Sequence, residues 1–154
     1  MKKAVVAATA AVLAFTGVAA AQDAGPHAQA IKARQGLMNF YAMNLGPLGA
    51  MAKGEMEYDA AAAQVAADNI AGVANLNLGM VWPQGSDNEN AQGTRALPAI
   101  WADGSDIGAK ASDLKAAAEA MQAAAGTDLA SLQAAMQGLG AACGACHKAY
   151  RASE

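Results

Sequence analysis

Apolar and polar positions along most of this chain recur at helical spacing. No stretch alternates with the period of a strand, and four segments separated by Gly, Pro, Asn and Asp clusters carry apolar residues three and four apart. The first runs from about Pro26 to about Met51, with Ile31, Leu37, Met38, Tyr41 and Leu45 on one broad face. Pro26 suits a first helical turn, whereas Pro47 lies deep inside the segment and is expected to kink or interrupt it. The second starts at Asp59, a good N-cap, carries Ala62, Val65, Asn69, Ile70, Val73 and Leu76 along one side, and fades near Gly79. Residues 79–103 read as a long connection punctuated by Gly and Pro, in which Trp82, Ile100 and Trp101 plug against the core. The third helix spans about Ser105 to Ala124, with Ile107, Ala111, Leu114, Ala118 and Met121 in register. After a Gly126-Thr127 turn, the fourth shows a stripe of Leu129, Leu132, Met136, Leu139, Cys143, Cys146 and Tyr150. Four helices joined by three connections predict an all-α, antiparallel up-down-up-down four-helix bundle.

The 154-residue length fits one domain preceded by a targeting segment. Lys2 and Lys3 precede an uncharged apolar stretch from Ala4 to Val18, and Ala19-Ala20-Ala21 supplies the small residues of a cleavage site. Residues 1–21 therefore read as a cleaved signal peptide and residues 22–154 as the mature domain. The stretch is shorter than the roughly 20 residues a membrane span needs. Loss of Lys2 and Lys3, with no acid, takes the formal charge from −3 to −5. An acidic chain with scattered basic residues argues against a nucleic-acid partner. Export implies an oxidising, periplasmic setting without stable membrane insertion after cleavage, yet the only two cysteines stand three apart and build no disulfide framework.

Those cysteines belong to Cys143-Gly144-Ala145-Cys146-His147. On a helix, positions three apart share a face, so both thiols can add across the two vinyl groups of one macrocycle edge. His147 then lies close enough to ligate the iron, which makes this a haem c attachment signature for one covalent haem. A thioredoxin-like dithiol belongs at the start of a helix that follows a strand, whereas this pair ends a helix. A structural zinc site needs four ligands, and His27 is the only further histidine.

Bundle geometry screens the eight methionines as ligands for the other face of the iron. Met136 lies roughly 16 Å up its own helix from His147 at about 1.5 Å per residue. Met51, Met56 and Met121 belong to the opposite end, Met1 leaves with the signal, and Met43 is more than a turn further away than Met38. Met38 remains as the leading candidate, with Met80 at a loop boundary and His27 near the mature terminus behind it. A methionine on a helix stripe is otherwise ordinary core filler.

Arg34-Gln35-Gly36-Leu37-Met38, the run from Arg95 to Trp101, Cys143-x-x-Cys146-His147 near the C-terminus and Tyr150-Arg151 after it resemble the class II c-type cytochromes, the cytochrome c prime family. The resemblance covers essentially the whole mature chain and implies the same four-helix fold. It implies that Met38 is the distal residue, that Arg34 lies near the haem, and that Arg151 lies near the proximal histidine. The family divides at the distal position. In one branch the residue only shields five-coordinate, high-spin iron that binds nitric oxide or carbon monoxide; in the other a methionine ligates the iron of a low-spin electron carrier. The Trp82-Pro83-Gln84-Gly85-Ser86 loop and the Arg95–Trp101 run resemble the low-spin branch more.

The expectation is therefore a periplasmic single-electron carrier with His147 and Met38 as axial ligands and redox proteins as partners. The five-coordinate gas binder is the alternative. No Ser-His-Asp or paired-carboxylate constellation points to an enzyme, and a peroxidase would lack a distal base. The resemblance also admits a homodimer built on the first two helices.

Overall fold

The computed structural model describes residues 25–153, so the signal-peptide reading of residues 1–21 lies outside the described residues. Four helices are formed: α1 (Ala28–Lys53), α2 (Ala60–Ala74), α3 (Ile107–Ala124) and α4 (Leu129–Tyr150). Each packs on the next, and α1 closes the ring against α4, giving the expected four-helix bundle. Local chemistry fixes several ends. The Asp59 carboxylate accepts hydrogen bonds from the backbone N–H groups of Ala61 and Ala62 at 2.9 and 3.0 Å, and Asp128 accepts from that of Ser131 at 2.7 Å. Gly54, at φ 76°, turns the chain out of α1 in the left-handed conformation that glycine adopts without steric cost.

The main core comprises Leu48, Met51, Ile70, Met121, Leu132 and Leu139, with the small side chains of Ala63, Ala66, Ala67, Ala71, Ala118 and Ala125 between them. Four expectations need correcting here. Pro47 does not interrupt α1, which is assigned as continuous through it. Proline in a helix interior costs about 3 kcal/mol. Leu48 and Met51, just beyond it, are fully buried and bring about 1.5–3 kcal/mol each, which outweighs that loss. On α2 the buried face is Ala63, Ala66, Ala67, Ile70 and Ala71, while Val65 and Leu76 are more than half exposed. Alanine on both sides of α2 made its two faces similar in sequence, and the side that permits closest approach of α1 and α3 is the one buried. The helix also ends at Ala74, well before Gly79, and Ala111 of α3 is exposed rather than in the core stripe.

α1 and α4 run antiparallel in a steady register. The Gln133 amide donates to the Ala52 carbonyl at 2.8 Å, Met136 Cε lies 3.9 Å from where a Cβ on Gly49 would stand, and Tyr41 lies beside Cys143. Each step back along α1 thus matches a step forward along α4. This register puts Met38 level with His147 and Arg34 level with Arg151.

The long connection between α2 and α3 contains two short 3-10 turns, Gly79–Val81 and Pro98–Trp101. It is laced to the end of α4 by backbone bonds: Leu97 N–H donates to the Tyr150 carbonyl at 3.0 Å, and Ala152 N–H to that of Arg95 at 2.8 Å. A second, smaller core forms there from Ala96, Ile100 and Tyr150, with Trp82, Trp101, Ile107 and Cys146 packed against it. The tryptophan rings meet at 6.3 Å, and Trp101 Nε1 donates to the Trp82 carbonyl at 3.0 Å.

Candidate haem site

α4 carries Cys143, Cys146 and His147 in its last two turns, and all three side chains are half-buried. The two form no disulfide, and burial pushes both thiols upward in pKa, so before haem is attached neither is an activated thiolate. Cys143 faces Tyr41 of α1, while Cys146 rests on the smaller core. The Tyr41 hydroxyl is pushed up to about 12, first by burial and then by Cys143.

The His147 imidazole is held below its usual pKa by burial first, then by the charges of Arg151 and Arg95. A neutral ring is the form that ligates a metal. Two unpaired thiols on one helical face, beside a histidine kept neutral and the uncrowded Gly144, make a donor set that fits a covalently attached haem.

The remaining sequence-predicted residues are distributed as follows. Met38 is 39% exposed on α1, at the level of His147. Met80 is 85% exposed in the first 3-10 turn, and His27 lies beside Gly85, its Nε2 3.5 Å from where a Cβ there would stand. Met51 and Met121 are buried in the main core. Arg151 is exposed, and its backbone bridges antiparallel to Ala96. Arg34 is buried, stacks 4.6 Å over the Trp82 ring, and donates to Ser86 and Thr94 of the connection. Burial lowers its pKa and Asp87 offsets part of that.

Sequence reasoning missed the hydrogen-bonding roles of four residues. Buried Ser86 and half-buried Thr94 receive Arg34 across 52 and 60 residues of chain, a distance no local pattern reports. Asp87, also buried, accepts from the backbone N–H groups of Glu89 and Asn90 and organises the loop around them. The fourth is Tyr150, placed on the α4 stripe from sequence: its hydroxyl donates to Asp106 and accepts from the Asp106 N–H at 3.0 Å, and Lys110 pairs with that carboxylate at 3.0 Å. Asp87 was legible to the extent that Ser-Asp-Asn-Glu-Asn is an Asx-turn composition.

A four-helix bundle whose last helix ends in two thiols and an imidazole is the architecture of a class II c-type cytochrome. The family model for cytochrome c' matches residues 29–151, and the chain belongs to that family. Like its relatives it carries one covalently bound haem c. It is 50% identical over 133 residues to cytochrome c-554 of Cereibacter sphaeroides, covering 86% of this chain and 87% of that one. Among solved structures it is similar to a cytochrome c' from Rhodobacter sphaeroides, with a TM-score of 0.81 and 34% identity, covering 84% of this chain and all of the other. A second similar structure is a cytochrome c' described as showing ligand-controlled dimer dissociation, with a TM-score of 0.72 and 31% identity over 81% of this chain and 95% of that one. The match is to the family as a whole, and the narrower expectation of its low-spin branch gains nothing from it.

Proposed function

We propose that this protein is a periplasmic haem protein with five-coordinate iron that binds a small diatomic gas such as nitric oxide or carbon monoxide. Cys143 and Cys146 hold the haem through thioether bonds, His147 is the proximal ligand, and Met38 screens the opposite face without ligating. When bound, the haem supplies an iron that takes up an electron or a diatomic ligand. The chain's own residues lower the pKa of the His147 imidazole, pack Trp82, Trp101 and Ile100 with Cys146, and set Met38 at the level of His147. Arg95 and Arg151 lie on the proximal side, and Arg34 on the side of Met38. The observation that carries this reading is the cytochrome c' family match over residues 29–151, since five-coordinate, gas-binding iron is typical of that family.

A second reading keeps His147 and Met38 as axial ligands of a low-spin electron carrier with periplasmic redox proteins as partners. Two observations favour it: Met38 stands level with His147, and the half-identical relative is named cytochrome c-554 rather than cytochrome c'. Such ligation raises the reduction potential over that of a lone histidine site. Neither reading needs a catalytic acid or base.

The absorption spectrum of the oxidised protein tests the pair. A high-spin ferric spectrum, unchanged in type by Met38→Ala, is the expected result. A red-region methionine-to-iron band that disappears in Met38→Ala would overturn the first reading and establish the second.

Export rests on the signal-peptide reading of residues 1–21. Among the described residues, no helix is long and apolar enough to cross a membrane. The dimer named for one similar structure makes a homodimer on α1 and α2 the assembly to look for.

A further inference from the structure

We propose that the Tyr41 hydroxyl is the hydrogen-bond donor of the distal pocket, placed to hold the outer atom of a nitric oxide or carbon monoxide molecule on the iron. The inference deepens the five-coordinate reading given above and rests on it.

The chain has three tyrosines, and the other two have their hydroxyls engaged. That of Tyr58 donates to the Ala125 carbonyl at 2.9 Å, and that of Tyr150 donates to Asp106 and accepts from Ser105. Tyr41 is 8% exposed, yet among the described residues its hydroxyl has no hydrogen-bond partner. A donor taken out of water and left unpaired costs stability, so native folds place such groups where something engages them. Among the described residues no fully enclosed side-chain nitrogen or oxygen lacks a partner. The Tyr41 oxygen, which has none, therefore opens onto space and is not sealed within the core.

Position ties that oxygen to the cofactor side. Tyr41 stands beside Cys143, one of the two attachment thiols. It follows Met38 by three positions, so the two share one face of α1, about 4.5 Å apart along the axis. Side chains on a helix lean toward its N-terminus, which for α1 is the end where Met38 stands level with His147. The other apolar-stripe residues of α1, Ile31, Leu37, Met38 and Leu45, carry no side-chain N–H or O–H. Tyr41 is thus the stripe's one side-chain donor. Its hydroxyl is raised to about 12, first by burial, and so keeps its proton at neutral pH. The donors and polarity of a distal pocket decide what a haem iron holds and for how long.

The test uses the reduced, haem-loaded protein under carbon monoxide, as wild type and as Tyr41→Phe, which removes the hydroxyl and keeps the ring. The C–O stretching band is read by infrared spectroscopy in light and in heavy water. In the wild type, exchange of the phenolic proton for deuterium should shift the band. In Tyr41→Phe the band should lie at higher frequency and lose that isotope shift. Carbon monoxide should also leave the variant about two- to tenfold faster, the worth of one hydrogen bond. The isotope measurement on the wild type needs no variant to fold.

A wild-type band that is the same in both solvents and unmoved by Tyr41→Phe overturns the proposal. Faster release with an unmoved band also overturns it, and assigns Tyr41 to packing alone. An isotope shift that persists in Tyr41→Phe assigns the donor to another group. A methionine-to-iron band in the oxidised protein overturns the five-coordinate reading itself, and is seen before any gas is added.

Discussion

Tyr41 makes stability depend on alkaline pH in a way that one substitution isolates. Its side chain is 8% exposed in the main core, and its hydroxyl is raised from 10.0 to about 12, with burial the larger cause. The raised value means that the folded state holds the phenolic proton more tightly than the unfolded chain does. Below pH 10 both states are protonated and the full stability is present. Between pH 10 and about 12 the unfolded chain ionises first, so stability falls, and the loss is complete above the folded value. At about 1.4 kcal/mol per unit, a shift of about two units corresponds to about 2–3 kcal/mol. Attachment of haem at Cys143 would remove that thiol's charge but leave burial, the first cause, in place.

The assay is denaturant unfolding followed by far-ultraviolet circular dichroism at pH 9, 10, 11 and 12, on the wild type and Tyr41→Phe. Other tyrosines and lysines titrate in both proteins, so the difference between the two curves reports Tyr41 alone. The wild type should lose about 2–3 kcal/mol more than Tyr41→Phe between pH 9 and 12. Parallel curves would refute the reasoning, because they would mean that Tyr41 ionises as freely in the fold as outside it.

Leu132 is fully buried where α4 enters the core, and Leu132→Ala should cost about 3–5 kcal/mol in the same unfolding assay. A loss under about 1 kcal/mol would mean that the helices close over the void. Pro47→Ala should restore a donor facing the Met43 carbonyl and stabilise the protein by about 1–3 kcal/mol, unless α1 has already bent to remove the clash. A thermal midpoint unchanged by that substitution would show the bend. Met38→Ala completes the set, reading the iron's coordination.

Most of the helical framework was legible because its signals are local. Asp59 and Asp128 cap α2 and α4 through N–H groups two or three residues ahead, and the apolar period of α4 runs unbroken from Leu129 to Tyr150. The haem attachment motif was legible for the same reason, since Cys143, Cys146 and His147 lie within five residues of one helix. The sequence by itself therefore determined four helices, their order, and the place of the thiols and the imidazole.

The tertiary structure decided what depends on distant partners. It chose which alanine-lined side of α2 is buried, because close approach to α1 and α3 sets that choice and side-chain hydrophobicity hardly distinguishes the two faces. It let α1 continue through Pro47, because burial of Leu48 and Met51 outweighs one lost hydrogen bond. It aligned α1 with α4 so that Met38 stands level with His147, a register fixed by packing and by the Gln133–Ala52 bond. It also gave Arg34 its partners. A lone arginine on an amphipathic helix reads as a surface charge until Ser86, Thr94 and Trp82 fold over it and take its donors out of water.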